Sequence, residues 1–199
     1  MTAPLILASA SPFRRELLTR LRLSFSVEPA DIDETAQPDE APTDLVARLA
    51  REKAETVYTR RPGAAVIGSD QVADLDGLVL GKPGSREQAI AQLRQQAGRT
   101  VIFRTGLCLL APDTAPQTAV IDVETRFRAL DDAEITRYVD LEAVTATAGS
   151  IKAEGLGISL VEHIRSDDPT ALIGLPLIKL CRMLRAAGYS PGADPTAIA

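Results

Sequence analysis

The chain is poor in the residues from which many catalytic and binding modules are built. It holds one histidine, two cysteines, two methionines and no tryptophan in 199 residues, and aromatics make up 4%. A single histidine leaves no Ser/His/Asp relay and no His/Cys metal cluster to assemble. His163 alternates with apolar neighbours in VEHI, as a surface or half-buried strand residue does. Cys108 and Cys181 lie far apart in the apolar runs GLCLLA and LIKLCRML, which fits buried thiols rather than a disulfide. With a net charge of −5, so few aromatics argue against a broad nucleic-acid surface and against a face for anionic membranes. There is no GxxxxGK[ST] and no GxGxxG after a strand, so the familiar nucleotide folds are not indicated. No apolar run approaches the roughly 18 residues of a spanning helix, and no basic segment leads into a long apolar stretch at the N-terminus. The expectation is a soluble, unsecreted protein of a reducing cytoplasm, without nucleic-acid or membrane partners.

Hydrophobic residues make up 45% of the chain, enough for a full core. We read one domain over residues 1–189, or two lobes sharing a sheet, and a disordered tail over 190–199, where PGADPTAIA follows Ser190. The organising stretch is LILASASPFRRELL, Leu5 to Leu18. A short buried strand runs to Ala8, and Ser11-Pro12 then supplies a helix cap and a proline at the first helical position. Free N–H groups at a helix start favour anions, and guanidinium forks bind phosphate bidentately. Arg14 and Arg15 therefore form either a phosphate site or the wet face of an amphipathic helix.

Ser24 to Val27 alternates like a strand. Glu28 to Pro42 is a carboxylate-rich loop, solvated or functional. A helix follows from Thr43 to about Arg60, with Lys53 on its apolar face, where a lysine either snorkels to the rim or has a role. Ala64 to Asp70 is a buried strand with a carboxylate at its C-terminal end, and Gln71 to Leu80 reads as a hairpin over Asp76-Gly77. Ser85 and Gln88 form a capping box for a helix that ends at Gly98. Thr100 to Leu110 and Thr118 to Phe127 are long antiparallel strands. Asp131 and Glu134 cap a helix running to about Leu141. TATAGS, KAEGLG and ISLVEHI then read as strand, loop and strand, and a last helix spans Leu177 to Ala187. The class is α/β with a mixed sheet.

Polar residues collect at element ends: Ser9, Arg14, Arg15, Asp33, Glu34, Lys53, Asp70 and Lys82. Cations with carboxylates suit a polyphosphate bound through a divalent metal, with one carboxylate activating water. These positions carry a resemblance. SASPFRR (Ser9 to Arg15), the DE of Asp33-Glu34, Glu52-Lys53, GSD (Gly68 to Asp70), GKP (Gly81 to Pro83), TGL (Thr105 to Leu107) and GLPL (Gly174 to Leu177) together resemble the Maf family of nucleoside triphosphate pyrophosphatases. The motifs recur in order between about residues 4 and 187.

The resemblance implies an inosine-triphosphatase-like fold, a long curved mixed sheet with flanking helices forming two lobes around a cleft. It implies hydrolysis of a nucleoside triphosphate between the α and β phosphates, with a divalent cation, Mg²⁺ or Mn²⁺. Position by position, Asp70 matches the proton acceptor. Ser9, Arg14, Arg15, Lys53 and Lys82 match phosphate contacts, and Glu34 with Asp70 a site for metal or water. A homodimer is left open, as are a role in septum formation and the purpose of removing modified nucleotides.

Three departures from the commoner pattern bear on the base. Phe13, Gln71 and Glu154 stand where many members have Arg, Thr or Ser, and Gln, and this combination resembles the subgroup acting on 7-methyl-GTP, whose usual aromatic is Trp. N7-methylation makes guanine cationic, which suits an aromatic face and a carboxylate. Rival readings are a pyrophosphatase for dTTP and UTP or another modified nucleotide, and a nucleotide sensor. Ala171 replaces a common Asn in DPTALIGLPL, so no ligand contact is assigned to that loop.

Overall fold

The segment AVIGSDQVADL is apolar enough to be covered on both faces, and it forms the centre of the sheet. In the computed structural model, which describes residues 3–192, the elements run β1 (Leu5–Leu7), α1 (Pro12–Thr19), β2 (Ser26–Val27), α2 (Pro42–Arg60), β3 (Ala65–Leu75), β4 (Leu78–Leu80), α3 (Arg86–Gln96), β5 (Thr100–Leu110), β6 (Gln117–Phe127), α4 (Asp132–Leu141), β7 (Val161–Arg165) and α5 (Leu177–Ala186). The mixed α/β sheet expected from sequence is present, with seven strands in the order β2-β1-β3-β5-β6-β7 and β4 paired to β3. The strand expected to stop at Asp70 does not stop there. β3 continues to Leu75 because β5 pairs with it from Val66 opposite Leu110 to Asp74 opposite Ile102. Asp70 therefore lies in mid-strand, opposite Gly106.

On the other side of β3 the sheet has a gap. β1 runs parallel to it only as far as Leu7 opposite Ile67. β4 folds back over the Asp76-Gly77 turn and pairs only from Ala73 opposite Leu80. Both turn residues have positive φ, 53° and 88°, as a two-residue hairpin loop of the primed type requires. Residues 68–72 of β3 thus have no strand neighbour on that edge, and the chain's polar residues gather there.

One face of β3 and β5 is covered by α2, whose Ala50, Ala54 and Val57 pack on Val66 and Cys108. The opposite face is covered in two parts. α1 and α5 pack Leu17, Leu18, Leu180 and Leu184 over Ile67 and Leu107. Beyond the gap, α3 and α4 pack Leu93, Ile135 and Tyr138 over Ala73 and Phe103. Long strands shared by two separate cores account for the two-lobed expectation.

The helix ends follow their cap signals. The Ser11, Ser85 and Asp131 side chains accept from the N–H groups of Arg14, Gln88 and Glu134. The expected strand at TATAGS is absent. Gly149 and Ser150 take φ of 63° and 57°, a left-handed turn that no strand accommodates, and Gly149 packs against Ala73 and Phe103. ISL is likewise a 3₁₀ turn, and the strand begins at Val161. Cys108 is buried as expected, whereas Cys181 is half-buried. His163 is a strand residue beside Glu124, at 3.3 Å. Most of the tail expected after Ser190 lies outside the described residues.

Candidate active site

The gap opens into a cleft of about 580 Å³ lined by residues from the loop after β1, α1, the Glu28 to Pro42 segment, α2, β3, β4 and the loops that follow β4 and flank β7. Side chains alternate along β3, so Asp70 emerges on the α2 side and Gln71 on the α1 side, and the missing neighbour lets both reach one space.

On the α2 side, Lys53 does not snorkel. It is 6% exposed, and its ammonium donates to Asp70 Oδ1 at 2.6 Å and pairs with Glu34 Oε1 at 2.6 Å. A buried ammonium needs such compensation. Burial pushes the Glu34 carboxyl up, but the bond and charge of Lys53, with Lys82 and Arg14, hold it below its ordinary value. Glu34 is therefore ionised at neutral pH. The loop that presents it is tied down rather than freely solvated. Arg48 of α2 donates to both carboxylate oxygens of Glu40, at 2.6 and 2.8 Å, and to the Thr35 carbonyl at 3.1 Å. That fork holds the Glu40 carboxyl down to about 2.

On the α1 side, Arg14 is half-buried. Its Nε donates to the Gly174 carbonyl at 2.8 Å and its Nη1 to Ser9 Oγ at 3.3 Å. Ser69 Oγ donates to the same carbonyl at 3.0 Å. Gly174 has φ of 115°, which favours glycine and aims its carbonyl at Arg14. Burial lowers the Arg14 pKa while Asp70 and Glu34 raise it, and a guanidinium so placed keeps its charge. The Gln71 amide nitrogen donates to the carbonyls of Ala171 and Leu172, at 2.7 and 3.1 Å, and to Thr105 Oγ1 at 3.1 Å. Its oxygen has none of these bonds.

Phe13, Lys82 and Glu154 also line the cleft, so the structure brings together Ser9, Phe13, Arg14, Glu34, Lys53, Asp70, Gln71, Lys82 and Glu154. It does not bring in Arg15, which is exposed on α1 and outside the lining. The 171–174 loop, to which no ligand contact was assigned, supplies Leu172, Ile173 and Gly174 to the wall. Sequence reading also missed Ser69, the Gly174 carbonyl and Lys152, whose ammonium lies 5.6 Å from the centre of the Phe13 ring. Ser69 and Gly174 stood inside quoted motifs, but a backbone acceptor leaves no side-chain signature.

Among the described residues no three His, Cys, Asp or Glu side chains come together as a metal cage. Glu34 and Asp70 present oxygen donors only, already bridged by an ammonium. Such a pair fits a hard cation that takes most of its ligands from phosphate oxygens and water, as Mg²⁺ commonly does.

The family described as Maf-like protein matches residues 4–187. A 7-methyl-GTP pyrophosphatase of Polaromonas sp. (strain JS666 / ATCC BAA-500) is 53% identical over 192 residues, covering 96% of this chain and 88% of that one. One from Xanthomonas oryzae pv. oryzae (strain KACC10331 / KXO85) is 56% identical over 190 residues, covering 95% and 98%. Among solved structures, the Ham1 protein of Staphylococcus aureus is similar at a TM-score of 0.47 and 17% identity, over 62% of this chain and 71% of that one. With the family matched over residues 4–187, and relatives above half identity along nearly its whole length, the chain belongs to the Maf family.

Proposed function

We propose that this protein is a metal-dependent pyrophosphatase that hydrolyses 7-methyl-GTP between the α and β phosphates, giving 7-methyl-GMP and pyrophosphate. The observation that carries the reading is the convergence of Lys53 with Asp70 and Glu34 in the cleft that Arg14 and Lys82 also line. Asp70 takes a proton from the attacking water, whose oxygen bonds the α phosphorus as the bond to the bridging oxygen breaks. Arg14, Lys53 and Lys82, with the Ser9 hydroxyl, hold the charge that builds on the departing pyrophosphate. Arg15 adds positive charge beside Arg14. A divalent cation would be held by Glu34 and Asp70 and would supply neutralising charge for the phosphate oxygens.

At the base end, the Phe13 ring attracts the cationic purine, Glu154 accepts from its N1–H and amine, and Gln71 orients it through its amide oxygen. The same reading makes residues 1–189 one catalytic domain working on free nucleotides in the cytoplasm. No helix among the described residues is long and apolar enough to cross a membrane.

A pyrophosphate-release assay over 7-methyl-GTP, GTP, dTTP and UTP, with Mg²⁺ or Mn²⁺, tests the reading. The kcat/KM for 7-methyl-GTP is expected to exceed that for GTP by about tenfold, the order of one charge-assisted contact. A preference for dTTP and UTP would move the substrate to ordinary pyrimidines, and no turnover with either metal would favour a sensor. Glu154→Gln should lower 7-methyl-GTP turnover about tenfold and UTP turnover far less, because only the cationic base needs the carboxylate. Equal losses would remove Glu154 from base recognition.

A further inference from the structure

Glu154 sits on a short segment whose two ends are tied to the C-terminal end of α4, one to Tyr138 in its last turn and one to Glu142 just past it. The Tyr138 hydroxyl oxygen accepts from the Lys152 N–H at 2.9 Å, and Glu142 Oε1 accepts from the Leu156 N–H at 2.9 Å. Between these ties, a Cβ on Gly155 would lie 2.6 Å from Glu142 Oε1, so the chain passes directly over that carboxylate. The other oxygen of Glu142 lies 3.8 Å from the Lys152 ammonium, and the two side chains are only 22% and 17% exposed. That ammonium rests on the Phe13 ring, although Lys152 does not line the cleft.

A cation arriving at the Phe13 ring therefore meets a ring that already has an ammonium 5.6 Å from its centre. Two like charges on one ring repel through a poorly screened medium, and this works against the attraction that the ring provides. Glu142 offsets the second charge. We propose that Glu142 is a specificity-determining residue: paired with Lys152, it cancels the ammonium on the Phe13 ring and so lets the ring favour a cationic purine over its neutral counterpart. The proposal rests on the 7-methyl-GTP reading. Glu142 does not line the cleft and acts only through the charge at the base.

The test compares kcat/KM for 7-methyl-GTP and GTP, which differ by one methyl group and one charge. The proteins are the full chain, Glu142→Gln, Lys152→Met and the double variant, at one ionic strength with Mg²⁺. Glutamine keeps the shape and the acceptor for the Leu156 N–H, so the segment stays anchored and only the charge changes. Glu142→Gln is expected to lower the ratio of 7-methyl-GTP to GTP about fivefold, chiefly through the KM for 7-methyl-GTP. Lys152→Met should leave the ratio unchanged or raise it, and the double variant should return it to the wild-type value.

Equal losses for both substrates in Glu142→Gln, or a double variant that does not recover, would overturn the proposal by reducing Glu142 to a loop anchor. A fall in the ratio for Lys152→Met would overturn it even if Glu142→Gln does not fold. A wild-type protein with no preference for 7-methyl-GTP would instead overturn the substrate reading, and this inference with it.

Discussion

Asp70→Asn is expected to lower kcat for pyrophosphate release by about 10³-fold, within the range that removal of a general base spans, while nucleotide affinity changes by about threefold or less. Asparagine matches aspartate in shape, so β3 keeps its pairing with β5, and its carbonyl still accepts from Lys53, which now donates to Asp70 Oδ1 at 2.6 Å. What is lost is the site for the water's proton and one negative charge beside the cation. The Lys53 ammonium keeps Glu34 as its counter-charge at 2.6 Å, so the variant does not bury an unpaired cation. Steady-state assays with calorimetric titration of a non-hydrolysable triphosphate separate the two effects. A variant retaining more than about a tenth of wild-type kcat would remove Asp70 from the proton step. A wild-type protein that binds the analogue but turns over no triphosphate would mark a sensor.

What could be read from sequence was local. Ser11-Pro12, Ser85 and Asp131 announce helix starts through bonds made within one turn, and Asp76-Gly77 announces a hairpin through backbone angles that few other pairs accept. What could not be read was decided by partners far away along the chain. Whether a strand ends at Asp70 depends on the length of β5, more than thirty residues later. The gap that makes the cleft is a difference between where β1 stops and where β4 starts, and no single segment records it. For Lys53 the sequence shows the helix face but not the carboxylates beneath it, which decide between rim and site. Arg14 and Arg15 look alike in sequence, and only the position of the Gly174 carbonyl separates the inward one from the outward one. The apolar residues of the segment after α4 suggest extension, whereas Gly149 and Ser150 turn left-handed under Phe103.

Gly106→Ala is expected to destabilise the protein by about 3 kcal/mol or more, at the upper end of the cost of overpacking a core. That corresponds to a fall in Tm of roughly 6–12 °C for a chain of this size. A Cβ at residue 106 would lie 2.0 Å from the Val46 carbonyl oxygen and 2.5 Å from its carbon. These are helix backbone atoms, so no rotamer change relieves the clash and α2 itself must lift. Gly68 meets the same helix one turn further on, with its Cβ position 2.0 Å from the Ala50 carbonyl oxygen. The two glycines let α2 lie directly on β3 and β5, and this contact lowers Lys53 to within 2.6 Å of Asp70, which stands opposite Gly106 in the sheet. Activity should therefore fall further than stability alone requires, because a small displacement of α2 separates the ammonium from both carboxylates. Gly81→Ala is the matched control for stability: nothing lies within 4 Å of its Cβ position, and its Tm should stay within about 2 °C of wild type. Thermal melts of both variants, with pyrophosphate release measured well below the lower Tm, distinguish a seated helix from a merely adjacent one. An unchanged Tm in Gly106→Ala would mean that α2 has room to spare above the sheet, and the short Lys53 bridge would then need another cause.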